Sequence, residues 1–206
     1  MKELEQKIKW LSDTYKKKLN DKIIERQMEM GMDDKSHCML YNLLGITNEV
    51  GEQIDLYQNL GRFLYKYAGS FAEEAIIECF KHKFPDTGTK IKIPNTISTN
   101  PKTVEIDCLV ENLAIEIKWR DATTDGDHIK KEHIRVHVIK NAGYTPIRIM
   151  LYTPNRSQAI RIQEKLKNIY EELHGGYYAG QDAWDFIKEY TEVDLKAMLE
   201  KININE

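Results

Sequence analysis

The sequence predicts an α/β fold, a mixed β-sheet flanked by helices behind an all-helical N-terminal region. Three observations predict it. The first third of the chain repeats its apolar residues every three or four positions, as helices do. From about residue 90 the texture changes to the strict alternation of strands. Beyond residue 120, helix and strand patterns then follow each other in turn.

Each element follows from its residues. Leu4, Ile8, Leu11, Tyr15, Leu19 and Ile23 place one long amphipathic helix over residues 1 to about 31, with Gly31 as its stop. A short helix covers Ser36 to Leu44. Thr47 or Asn48 caps a third, which runs through LYQNLGRFLYKY and is expected to break at Gly69–Ser70. Ser70 then caps a fourth helix, FAEEAIIECFKHKF, closed by Pro85 and Gly88. KIKIPNTIS, TVEIDCLV and LAIEIKW read as three strands. Asp127 caps a helix ending near Asn141-Ala142-Gly143, PIRIMLYT is a fourth strand, and Asn155 opens a helix that Gly175–Gly176 breaks. One or two short helices complete the tail. The division expected is a helical region over 1–68, a candidate for dimerisation or DNA binding, and an α/β core over 69–206.

Composition narrows the function. Hydrophobic residues make up 41% and charged residues 31% of 206, which describes a folded globular chain. No apolar run approaches the roughly 20 residues of a membrane span, and MKELEQKIKW lacks a signal core, so the expected location is the cytoplasm. Three cysteines without a CxxC pair read as buried thiols. The net charge of −3 conceals a basic segment, since residues 116–161 carry nine Lys and Arg against five acids. No GxxxxGK[ST] is present, so no nucleotide cofactor is expected, and neither GxSxG nor HEXXH appears.

The chemistry concentrates in two strands. Along 103–110, Val104, Ile106, Cys108 and Val110 share one face, and Glu105 and Asp107 the other. In the next strand Glu116 and Lys118 oppose Ile115 and Ile117. A tight turn at Glu111–Asn112 sets Asp107 opposite Glu116. Two carboxylates held together repel each other, and a hard divalent cation relieves that repulsion. Asp107 and Glu116, with the Ile117 carbonyl between side chains, form the candidate metal set, and Lys118 serves the nucleophile. On the preceding helix Glu73, at the rim of the apolar face, is preferred to Glu74 as an accessory acid. The plain alternative is a solvated sheet face that happens to be charged.

Asp107 followed by Glu116-Ile117-Lys118 resembles the PD-(D/E)XK nucleases, with Ile106 where that motif has proline. The continuation IEIKWRDATTDGDHIKKEHIRV is similar to the ApaLI-like restriction endonucleases. The resemblance implies a type II restriction endonuclease: a homodimer, using Mg²⁺ with Mn²⁺ as a substitute, that cuts double-stranded DNA at a short palindromic site.

DNA contacts are expected from Lys130, Lys131 and Arg135 on the basic helix, and from Arg120 with the DATTDGD loop. Asn155, Arg156 and Gln158 are expected to add contacts at the start of the last long helix. His133 and His137 have the spacing of helical zinc ligands but no third ligand follows. The aromatic run GGYYAGQDAWDF reads as packing. Two other functions remain open at this level: a repair or junction-resolving nuclease of the same fold, and a non-catalytic helical binding module.

Overall fold

The computed structural model describes residues 1–121, 123 and 125–204. The helical third consists of α1 (Lys2–Met32), α2 (Cys38–Leu43) and α3 (Asn48–Lys83). There follow β1 (Gly88–Pro94), β2 (Thr103–Val110), β3 (Leu113–Arg120), α4 (Asp127–Asn141), β4 (Thr145–Tyr152), α5 (Ser157–Glu172), β5 (Gly176–Ala179), α6 (Gln181–Thr191) and α7 (Leu195–Ile204). These elements form two compact units, Lys9–Phe71 and a second made of Met1–Ile8 with Ala72–Glu206. The first turns of α1 join the second unit, where Lys201 Nζ donates to Glu5 Oε1 at 2.6 Å.

Two expectations about elements fail. The helix break at Gly69–Ser70 does not occur, and α3 runs through it. A glycine inside a helix costs only about 1 kcal/mol relative to alanine. Packing of Tyr67 and Phe71 on Tyr15, each with ring centroids 6.3 Å apart, favours the continuous helix. The second miss is β5. Four residues are too short to display alternation, so the sequence showed just the helix stop. Glycine also has a packing role there, because a Cβ on Gly175 would sit 2.3 Å from the Pro146 carbonyl oxygen. That absence of a side chain lets the chain enter alongside β4.

Cap positions shift by a residue or two. Asp127 lies inside α4, and Asp125 Oδ1 accepts its N–H at 2.9 Å. Arg156, not Asn155, occupies the N-cap position of α5. β1 stops at Pro94, which has no N–H to extend a ladder, and Asn95 turns the chain by accepting from the N–H groups of Ile97 and Ser98.

The sheet order is β1-β2-β3-β4-β5. The pairs β1–β2 and β2–β3 are antiparallel, and β3–β4 and β4–β5 are parallel. The hairpin between β2 and β3 turns at Glu111–Asn112, with Glu111 at φ 53°. A positive φ at the first of two turn residues is the type II′ pattern that suits strand twist. Helix α4 packs on the sheet through Val138 and Ile139, which join Ile93, Val104, Ile106 and Ala114 in one buried cluster. Cys38, Cys79 and Cys108 are free and buried, as expected. No helix among the described residues is long and apolar enough to cross a membrane.

Candidate active site

The β2–β3 register places the acids where the alternation put them. Cys108 pairs with Ile115 and Val110 with Leu113, which sets Asp107 across from Glu116. The paired positions stop at Cys108, however. Past that point the Asp107 carboxylate takes the place of a strand partner, and its Oδ2 accepts the Ile117 N–H at 2.9 Å. On the other side of β2, the position facing Asp107 is Lys90, whose φ of 53° interrupts the β1 ladder. A left-handed non-glycine residue beside a site carboxylate is a form of local strain that tends to gather at functional sites. Both neighbouring strands therefore leave Asp107 partly free of the regular sheet.

Glu116 is 3% exposed. Lys118 Nζ sits 2.5 Å from its Oε1, and Arg135 Nη1 2.8 Å from its Oε2. Burial alone would push the Glu116 carboxyl up, but the two cations hold it below its ordinary value. Lys118 responds the opposite way. Burial would lower it, and the charges of Glu116 and Asp107 raise it, so it stays a protonated ammonium. Among the described residues, no cation is bonded to Asp107 in this way. Burial, then the charge of Glu116, pushes its carboxyl up to about 7, and Glu73 adds to that field. Glu73 itself is part-buried, with Lys90 Nζ 3.5 Å away. The constellation therefore contains one carboxylate already neutralised and a second that is still partly protonated near neutral pH until a cation arrives.

The oxygens fit a hard divalent cation. Two carboxylates from adjacent strands and a backbone carbonyl between them are the donor types Mg²⁺ accepts. The raised Asp107 is the observation that supports this, since a carboxyl forced toward protonation by a like charge is what a bound cation relieves. Among the described residues no cluster of three or more His, Cys, Asp or Glu side chains is assembled, so this set rests on two side chains.

A family model for the ApaLI-like restriction endonucleases matches residues 1–204, nearly the whole chain. The chain belongs to the ApaLI-like restriction endonuclease family. Membership implies a nuclease that acts on DNA, and a divalent metal is typical of restriction endonucleases. No curated protein and no solved structure matches significantly.

In this family member, the DNA-contact expectations fall into different places. Lys130 and Lys131 are exposed on α4, Lys130 with Asp127 Oδ1 at 3.4 Å. Asn155, Arg156 and Gln158 are exposed at the start of α5. Arg120 ends β3 in register with Tyr152 of β4. The loop after it includes Ala122 and Thr124, which lie outside the described residues. Arg135 differs from its expected role. Instead of facing outward, its guanidinium bonds Glu116, Glu132 at 3.2 Å and the Glu105 carbonyl at 2.6 Å. His133 and His137 approach each other, Nε2 to Nε2, at 3.2 Å. The aromatic tail is packing, with Tyr178 stacked on Phe186 at 4.1 Å and Trp184 buried.

One group of residues escaped the sequence reading. Arg148 of β4 is fully buried, in register beside Glu116. Its Nη2 donates to Asp121 Oδ2 at 2.6 Å and its Nη1 to Glu132 Oε2 at 3.1 Å. Tyr170 donates to the same Glu132 oxygen at 3.3 Å, and His128 Nε2 lies 3.0 Å from Asp121. The chain Asp121–Arg148–Glu132–Arg135–Glu116–Lys118 alternates in sign and links β4 and α4 to the site. A signal existed: PIRIMLYT places one Arg among apolar residues in a strand flanked by helices on both sides. Such a charge needs partners, but the sequence does not name them.

Proposed function

We propose that this enzyme is a type II restriction endonuclease with a PD-(D/E)XK core, which hydrolyses one phosphodiester in each strand of a short palindromic DNA site as a homodimer. Asp107 and Glu116 would hold Mg²⁺, with the Ile117 carbonyl as a third donor. The observation that carries this reading is the opposition of a raised Asp107 to a Glu116 already bonded by Lys118, at the point where the β2–β3 ladder opens.

When bound there, such an ion would act as a Lewis acid toward the scissile phosphate and make a nearby water more acidic. The rest of the chemistry belongs to the chain. Lys118, kept protonated, orients the attacking water and offsets the charge that develops on phosphate oxygens. Arg135 fixes the Glu116 carboxylate from its other oxygen. Water adds to phosphorus, the bond from phosphorus to O3′ breaks, and the products are a 5′-phosphate and a 3′-hydroxyl. Lys130, Lys131, Arg120, Asn155, Arg156 and Gln158 supply the phosphate and base contacts, and Glu73 acts as an accessory acid. The 1–68 region contributes to dimerisation or DNA binding.

The test is incubation with large unmethylated DNA in Mg²⁺, followed by sequencing of the ends. Discrete fragments sharing one terminal sequence are expected, with none in EDTA. Intact linear DNA together with cleavage of branched DNA would assign the core to repair. Full cleavage in EDTA would remove the metal from the mechanism.

A further inference from the structure

The unit Lys9–Phe71 buries unusually little of its own apolar surface. Among the described residues, its buried apolar side chains are Leu11, Tyr15, Cys38 and Phe63. The same 63 residues hold thirteen of the eighteen large apolar side chains that the described residues expose. Each of these is 44–82% exposed.

The exposure is ordered. On α3, Val50, Ile54, Tyr57, Gly61 and Leu64 follow spacings of four, three, four and three, which keeps them on one stripe of the helix. The four side chains are 44–67% exposed. The face of α3 that packs within the unit is another one, carrying Phe63 and Tyr67. A Cβ at Gly61 would meet nothing within 4 Å. A mid-helix glycine weakens a helix, and in the centre of an apolar stripe it permits a second backbone to come close.

We infer that this stripe is the seam through which two copies of the chain associate, α3 against α3. The choice of a second copy over DNA follows from charge. Residues 9–71 carry nine Lys and Arg and nine Asp and Glu, and the stripe itself holds no cation to meet a phosphate. The positions flanking the seam include Gly51, Gln53, Gln58, Leu60 and Tyr65, none of them charged. An identical copy therefore meets no like charge across the seam, and a two-fold interface requires such self-complementarity. The inference deepens the dimer part of the proposed function by naming its surface, and it stands apart from the nuclease chemistry.

Sedimentation equilibrium of the full chain at about 10 µM tests it, a concentration above a micromolar dissociation constant. Wild type is expected to be a dimer. Ile54→Lys with Leu64→Lys, two exposed positions, should leave circular dichroism unchanged and weaken association by about 100-fold or more. A monomeric wild type, or a folded charged variant that stays dimeric, overturns the seam. If the charged variant does not fold, Tyr57→Cys decides. Cys38, Cys79 and Cys108 are buried, so a short thiol cross-linker should join two chains through Cys at 57, and failure to link overturns the seam. DNA cleavage is read separately. A seam dimer that cuts no DNA removes the nuclease reading alone, and a nuclease whose charged variant stays dimeric removes the seam alone.

Discussion

Replacing Asp107 with Asn should stabilise the metal-free protein at alkaline pH while abolishing cleavage. The Asp107 carboxyl is raised from 3.8 to about 7, first by burial and next by the charge of Glu116. The unfolded chain releases this proton near its ordinary value, and the folded chain holds it until about 7. Between those two values the folded state binds more protons, so stability falls as pH rises through that window and levels off above it. The full difference corresponds to an upper bound of about 4 kcal/mol, and partial solvation leaves an expected 1–3 kcal/mol. Asn removes the charge and keeps an oxygen to accept the Ile117 N–H, so the local geometry survives. The assay is urea unfolding in EDTA, for wild type and Asp107→Asn, at pH 5 and pH 8.5. The variant should gain 1–3 kcal/mol over wild type at pH 8.5 and roughly a third of that at pH 5. Mg²⁺ should then stabilise wild type at pH 8.5 and not the variant, since a ligand stabilises only the state that binds it. A variant less stable than wild type at pH 8.5, or a difference equal at both pH values, would refute the reasoning.

Three further outcomes are expected. Lys118→Arg should retain DNA binding and lose cleavage by about 10²-fold or more, because the planar fork keeps the charge but not the compact ammonium that reaches both Glu116 and a water; single-turnover rates at saturating enzyme check it. Arg148→Met should cost about 3–5 kcal/mol in thermal or urea unfolding, since Asp121 and Glu132 lose a fully buried partner; a loss below 1 kcal/mol would mean the network is not the support described. Mn²⁺ should replace Mg²⁺ in cleavage, and Ca²⁺ should support binding with poor cleavage, measured by gel shift and end-labelled product on the same DNA.

The alternation in TVEIDCLV and LAIEIKW determined more than two strands. With one apolar face to bury, it allowed a single register parity, so Asp107, Glu116 and Lys118 were legible as one group from sequence alone. The long N-terminal helix, the basic α4 and the buried thiols were legible for similar reasons, because each is written in local spacing. Tertiary structure decided what local spacing does not encode. It set β4 parallel to β3, which brought Arg148 beside Glu116 from 32 positions away in sequence. It turned Arg135 inward to Glu116 and Glu132, where a helical-face reading had aimed it at DNA. It carried α3 through Gly69–Ser70 because aromatic packing outweighed a weak helix former. Periodicity reports which face of an element is apolar. Which charge meets which across two elements depends on their packing, and the ionisation of Asp107 and Glu116 follows from those meetings.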